Sequence, residues 1–358
     1  MNSQDEIDQT AHSGEAFSST QILREVLLIA NPLGGFIVPS YVRMAETGEL
    51  KTRVATAYKQ ASPCTLCPRY CSIDRLKGEH GYCQAGQVLK VARFAVHVGE
   101  EPAISGTCGS GTVFFSHCSL RCITCQNQQI SLEGLGREIS VQELSKEMIK
   151  LQQRGVHNIN LVTPSHYLPW ILEAIDLAAQ DDLDLPLVYN SSGYENLETL
   201  RLLDGVVDIY IPDAKYSDDY LAKRLSNASN YQMVNKQALI EMAQQVGPLI
   251  NDDNGIAVRG LLVRHLILPG QVLNSKGVLD YIAKVLGNRS HISLMSQYYA
   301  TERMHNVNGL DRTITQDEYQ SCIDEMLKLG FEEGWLQEGI GVSLEERPEF
   351  LRDQPIMR

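Results

Sequence analysis

The chain reads as an α/β protein in which a mostly parallel sheet, covered by helices, is curled into an open, partial (β/α)6 barrel. Two observations carry that expectation. Six near-continuous apolar runs recur at TVFFS (112–116), NINLV (158–162), PLVYNS (186–191), VVDIYIP (206–212), GLLVRHLIL (260–268) and ISLMSQYY (292–299). Such runs suit strands buried on both faces, the condition inside a parallel sheet. Nearly every gap between them carries helix signals. Ser140 with Glu143 forms a capping box ahead of Val141, Leu144, Met148 and Leu151, which share one face before Gly155. Asn274 can cap a helix running to about Leu286, and Thr315 with Glu318 opens one that stops at Gly330. Six units over roughly 220 residues fall short of a complete eight-unit barrel. A doubly wound sheet is the alternative, but the first unit lacks a GxGxxG turn. Either architecture places an active site at the C-terminal ends of the strands.

The 358 residues hold 31 Lys+Arg against 44 Asp+Glu, for a net charge of −13. That field repels phosphate backbones and argues against nucleic-acid partners. Residues 1–20 are polar and acidic, the composition of a disordered tail. Val26 to Val38 is apolar but broken by Asn31, Pro32 and a Gly pair, too interrupted for a bilayer span. A cytoplasmic protein without membrane partners is expected. Residues 21–110 form an N-terminal helical and cysteine-rich metal-binding region, 111–336 the barrel, and 337–358 a C-terminal extension.

Eight of the nine cysteines lie between Cys64 and Cys125. An odd total, with eight packed into one window and no secretory signal, points to metal chemistry rather than disulfides. Cys118, Cys122 and Cys125 follow the first strand with CxxxCxxC spacing. Three thiolates can hold three corners of a cubane iron–sulfur cluster and leave one iron open. Zinc is the competing reading, although a structural zinc site wants four ligands. Cys64, Cys67, Cys71 and Cys83 do supply four, so zinc and an auxiliary iron–sulfur cluster both fit that set. Metal binding could fold so small a segment outright. Cys108 and Cys322 read as ordinary thiols.

With those motifs in view, the chain resembles the radical S-adenosylmethionine (SAM) superfamily, and most closely homologues of the pyruvate formate-lyase activating enzyme. The resemblance rests on CTLCPRYC followed by GSGTVFFSHCSLRCITCQN, then VTPSHY, IPDAKY, VRHLILPG and SLMSQYY, over roughly residues 60 to 336. It implies a partial barrel of radical-SAM type with a [4Fe–4S] cluster on Cys118, Cys122 and Cys125. SAM would chelate the open iron, and one electron would cleave its sulfonium to methionine and a 5′-deoxyadenosyl radical. That radical would take hydrogen from a substrate, with the protein orienting the groups and excluding water. A one-electron donor such as flavodoxin or ferredoxin is implied as partner. The substrate is unknown: a glycine of a glycyl-radical protein, or an unrelated small molecule or peptide. A non-catalytic metal-binding protein is the alternative of another class.

The same resemblance implies SAM contacts at Asn127, at Thr163-Pro164-Ser165 after the second strand, at Asp213 and Lys215 after the fourth, and at Arg264. Ser165 could equally be a helix N-cap. Ser191 lies in a Tyr189–Ser192 cluster suited to a ribose or carboxylate, or to ordinary turn chemistry. Strand alternation puts Arg264 and His265 on opposite faces, and the resemblance favours Arg264 as the inward one, with His265 a packing residue. Gln297 and Tyr298 could line the substrate space. One departure stands out, because Thr124 occupies a position that is usually aromatic in this superfamily and packs near the adenine.

Overall fold

The computed structural model describes residues 38–341. The tail read at 1–20, the helical reading of 21–37 and the extension beyond 341 lie outside them. Two helices come first, α1 (Ser40–Thr47) and α2 (Glu49–Gln60), separated by Gly48 at φ 77°, a left-handed hinge suited to glycine. The expected six strands are present: β2 (Ser110–Phe115), β4 (Ile159–Val162), β5 (Leu187–Ser191), β6 (Ile209–Pro212), β8 (Ala257–Leu266) and β9 (His291–Met295). They lie parallel in the order β9-β8-β6-β5-β4-β2.

Four strands were not anticipated. β1 (Leu89–His97) runs antiparallel beside β2, and β3 (Arg137–Ile139) borders β1. β10 (Gly334–Leu336) extends the other edge, and β7 (Ile250–Asn251) pairs with β8. β3 and β10 end the sheet without meeting, so the barrel is open.

Helices α5 (Val141–Gln153), α6 (Leu168–Gln180), α9 (Tyr231–Val246), α10 (Val272–Leu286) and α11 (Gln316–Lys328) cover the outside. Leu144, Ile171, Leu239, Val278 and Cys322 pack with Val113, Leu161, Tyr189, Val263 and Leu294 in one buried cluster. Ser140 accepts the Glu143 N–H at 3.0 Å, but the Glu143 carboxylate pairs with Arg137, so this is half a capping box. Thr315 and Glu318 form the complete box. Asn274 is not a cap. The helix begins two residues earlier, and Asn274 faces inward to accept the Ser217 N–H at 2.8 Å and donate to the Lys215 carbonyl at 2.9 Å.

The β1–β2 connection plugs the barrel's lower end. Its short helix α3 (Pro102–Ser105) places Ala103 and Ile104 among Val188, Ile209, Ile211 and Leu262, an inward-facing apolar cluster. Asn158 fixes this plug by donating to the Ile104 carbonyl at 2.8 Å. Above it, Arg264 meets Glu100 and Glu101, with Nε donating to Glu101 at 2.8 Å. Asn160 donates to Glu100 at 2.9 Å. Burial alone would raise the Glu101 carboxyl's pKa, but Arg264 and Ser293 overcome this and hold it low. Among the described residues, no helix is long and apolar enough to cross a membrane.

Arg264→Ala should destabilise the fold by about 3–5 kcal/mol, because two carboxylates lose their buried partner. Urea unfolding would read this, with a loss below about 1 kcal/mol counting against the buried triad.

Candidate functional site

After β2 the backbone turns sharply through His117 (φ 71°) and Arg121 (φ 52°). Left-handed conformations at non-glycine residues are costly and persist where surrounding contacts enforce them. Tyr70, Ser72, Gln84 and Thr163, in the upstream cysteine segment and after β4, share this geometry. The turn gathers Cys118, Cys122 and Cys125, so that Cys118 and Cys125 each lie in the field of Cys122. The Leu120 N–H donates to Cys118 Sγ at 3.3 Å, and the Asn127 N–H donates to Cys125. The Ser131 hydroxyl also donates to Cys125, at 3.1 Å. Burial pushes the Cys118 thiol up to about 12, a cost that metal ligation would relieve.

Cys64, Cys67 and Cys83 are buried, and Cys67 feels Cys83, Cys64 and Cys71. Here too N–H groups point at sulfur: Arg69 to Cys67, Ala85 to Cys83, and Tyr82 to Cys71 at 3.4 Å. A Cβ on Gly81 would lie 2.9 Å from Cys71 Sγ, so the backbone closes tightly around that thiol. Among the described residues, no three His, Cys, Asp or Glu side chains converge on one metal-ion position.

Arg69 ties the two cysteine segments together. Its guanidinium donates to the carbonyls of Ser119 (2.9 Å), Leu120 (3.0 Å), Ser226 (2.9 Å) and Asn227. It lies 3.9 Å over the ring of Tyr82, which precedes Cys83. Arg75, 1% exposed, donates to the carbonyls of His166 and Gly86 (2.9 Å) and faces Trp170 at 5.1 Å. It forms no carboxylate pair among the described residues, and its charge acts on Cys83.

The triad borders an open chamber at the top of the barrel. Inward-facing Phe114, Val162, Asn190, Asp213, Leu266 and Met295 are all partly exposed there. Lys215 Nζ donates to Asp213 at 2.6 Å and lies in the field of Cys122 and Cys125. Burial alone would lower the Lys215 ammonium's pKa, but Asp213 and these thiols hold it raised. Tyr231 receives the Lys215 N–H at 3.0 Å and donates to the Ser192 carbonyl at 3.0 Å. Asn235 bridges the carbonyls of Gly193 and Asp213 at 2.9 and 3.0 Å. A side chain at Gly193 would collide with that Asp213 carbonyl, so glycine is required.

The remaining sequence candidates divide. Thr163 (φ 59°) donates its N–H to the Asn190 carbonyl at 2.8 Å, joining two strand ends at the chamber, and Pro164 follows it. Ser165 does not cap a helix. Its hydroxyl donates to Glu195 at 2.7 Å and is buried. Ser191 also bonds Glu195, on the helix-facing side of β5 with Tyr189. Both hydroxyls are therefore turned away from the chamber. Arg264 faces inward as expected, yet its guanidinium is occupied by Glu100 and Glu101 rather than open to a ligand. His265 is buried, with Nδ1–H donating to the Ala214 carbonyl at 2.6 Å, and burial lowers its pKa to about 4. Asn127 keeps a buried Oδ1 with no hydrogen-bond partner. Gln126 donates to the Gln297 carbonyl at 2.8 Å, tying the triad loop across the mouth to the end of β9. Tyr298 is buried and bonds the Leu310 carbonyl instead of lining the space. Thr124 is 8% exposed and bonds Tyr216.

Sequence reasoning missed Arg69, Glu195 and Tyr216. The Tyr216 hydroxyl bonds Ser226 Oγ at 2.7 Å and reaches Cys122 and Thr124. Its position directly after IPDAK was the available signal.

No family model matches the chain. An uncharacterized protein of Methanocaldococcus jannaschii is 27% identical over 285 residues, covering 77% of each chain. Methylornithine synthase aligns structurally with a TM-score of 0.42 and 13% identity, covering 78% of this chain and 72% of that one. Neither likeness assigns a reaction.

Arg69→Ala should lower stability by about 3 kcal/mol, since it strips charge-assisted bonds from four carbonyls. Iron retained per chain after anaerobic gel filtration should fall with it, and unchanged iron and stability would deny the staple its role. A second expectation concerns pH. Burial pushes the Glu195 carboxyl up to about 7, so its stabilising contribution is full below about 4.5 and is lost as pH rises through 7. Glu195→Gln should remove about 3 kcal/mol of that decline. Parallel pH–stability curves for variant and parent would contradict it.

Proposed function

We propose that this chain is a radical SAM enzyme whose reaction begins at Cys118, Cys122 and Cys125. The observation that carries the reading is the meeting of an open set of three thiols, aimed N–H donors and the Asp213–Lys215 pair at the mouth of a parallel barrel. When bound, a [4Fe–4S] cluster with SAM supplies one-electron cleavage of the sulfonium and a hydrogen-abstracting radical.

The chain's own groups then have defined tasks. Lys215 offers a cation for the SAM carboxylate, and Asp213 keeps that ammonium protonated and aimed. Asn127 and Asn190 supply amide groups at the chamber wall, and the backbone of Thr163-Pro164 lies beside Asn190. Tyr216 orients Cys122 through its hydroxyl. Gln126, bonded to Gln297, closes one side of the mouth against water. Ser165, Ser191 and Arg264 act indirectly, by fixing strand ends and the chamber floor. The Cys64, Cys67, Cys71 and Cys83 set holds a second metal centre, zinc or iron–sulfur. Electrons come from a small donor such as a flavodoxin or ferredoxin.

A backbone glycine of a partner protein is the hydrogen donor the sequence resemblance favours. A glycyl-radical EPR signal in that partner's presence would support it, and turnover on an unrelated small molecule or peptide would replace it.

The reaction class is tested by anaerobic reconstitution with iron and sulfide, reduction, and measurement of 5′-deoxyadenosine from SAM. The parent should produce it, and a Cys118/Cys122/Cys125 triple alanine variant should not. Absence of product from the parent would favour a non-catalytic metal-binding protein. Lys215→Ala should weaken SAM binding about tenfold or more, the loss of one charge-assisted contact. Unchanged affinity would remove Lys215 from the site.

A further inference from the structure

A second cavity, of about 650 Å³, opens between the upstream cysteine segment, the start of β1 and the triad loop. Its size suits a small organic ligand. Its lining shares no residue with the chamber wall named above. The lining includes His80, Lys90, His117, Arg121, Glu133 and Glu138. Charge is arranged unevenly within it. Glu133 and Glu138 are exposed at the rim, and Glu133 lies 3.8 Å from Arg303. Lys90 and Arg121 are half-buried and form no ion pair among the described residues.

Arg121 has five N–H groups to satisfy. Nη2 makes a long 3.4 Å bond to the Leu132 carbonyl, while Nη1 is buried without an acceptor. His117 Nδ1 is likewise buried and unpartnered. With only one long hydrogen bond to a carbonyl, the Arg121 guanidinium at the cavity wall is suited to a charge-assisted bond with an anionic oxygen.

We infer that this cavity is a binding site for a small oxyanion ligand, a phosphate or a carboxylate, held between Lys90 and Arg121. The inference is independent of the SAM reading, because it concerns residues outside the chamber and a ligand that undergoes no reaction. Arg121 lies between Cys118 and Cys122 in the chain, so an anion here would bring negative charge to the back of the triad loop.

The test is isothermal titration calorimetry on the full, metal-loaded chain at low ionic strength, using inorganic phosphate, succinate and chloride. Phosphate or succinate should bind at least about tenfold more tightly than chloride, and the tighter of the two identifies the anion class. Lys90→Gln should weaken that binding about tenfold, and Arg121→Gln at least as much. Lys77→Gln, which removes an exposed cation paired with Asp74 outside the cavity, should leave it unchanged. Lys90 lies on β1 outside both cysteine motifs, so its variant decides the matter if the Arg121 variant fails to load metal. Binding no tighter than chloride, or binding indifferent to Lys90→Gln, overturns the proposal.

Discussion

One guanidinium holds the two cysteine segments in register. Arg69 lies between Cys67 and Cys71, yet its hydrogen bonds end on Ser119 and Leu120, inside the triad, and on Ser226 and Asn227 at the close of a helix. Four carbonyls converging on one cation form a compact polar joint beside the buried cluster of Leu120, Tyr194, Leu225 and Ala228. Cys122 is held from another side by Tyr216, whose hydroxyl also engages Ser226. Moving any one of these elements disturbs the others. The thiol geometry is therefore a product of contacts between three distant stretches of chain.

Two charge systems divide the barrel between them. The lower one, Arg264 with Glu100 and Glu101, is closed and serves the floor. The upper one, Asp213 with Lys215, is partly exposed at the chamber and lies in the field of the thiols. Asn274, Tyr231 and Asn235 fix the backbone around Lys215 from two different helices. Burial therefore separates a structural arginine from a lysine that a ligand can reach.

The sheet was legible wherever burial was two-sided. The six parallel strands announce themselves as unbroken apolar runs because helices cover one face and the barrel interior the other. β1, LKVARFAVH, is partly exposed along most of its length and carries Lys90 and Arg93, so its pattern was weaker. β3 and β10, three residues each, are too short to show a period. The cysteine sets were legible because ligand spacing is local. Partnerships were not. Alternation put Arg264 and His265 on opposite faces and the resemblance favoured Arg264 as the inward one, but Glu100 and Glu101, more than 160 residues away in the chain, decide what it binds. Ser165 and Ser191 were read as chamber residues because Glu195, which claims both hydroxyls, has no local signature. Asn274 has the chemistry of a cap, and tertiary contacts put it to another use.

The central claim is that the triad holds a cluster with one iron open to SAM. The EPR spectrum of the reconstituted, reduced protein recorded with and without SAM tests it most directly. The account predicts a reduced-cluster signal that SAM perturbs and that disappears when Cys118, Cys122 and Cys125 are replaced. A spectrum indifferent to SAM, or one that survives loss of all three thiols, would contradict it.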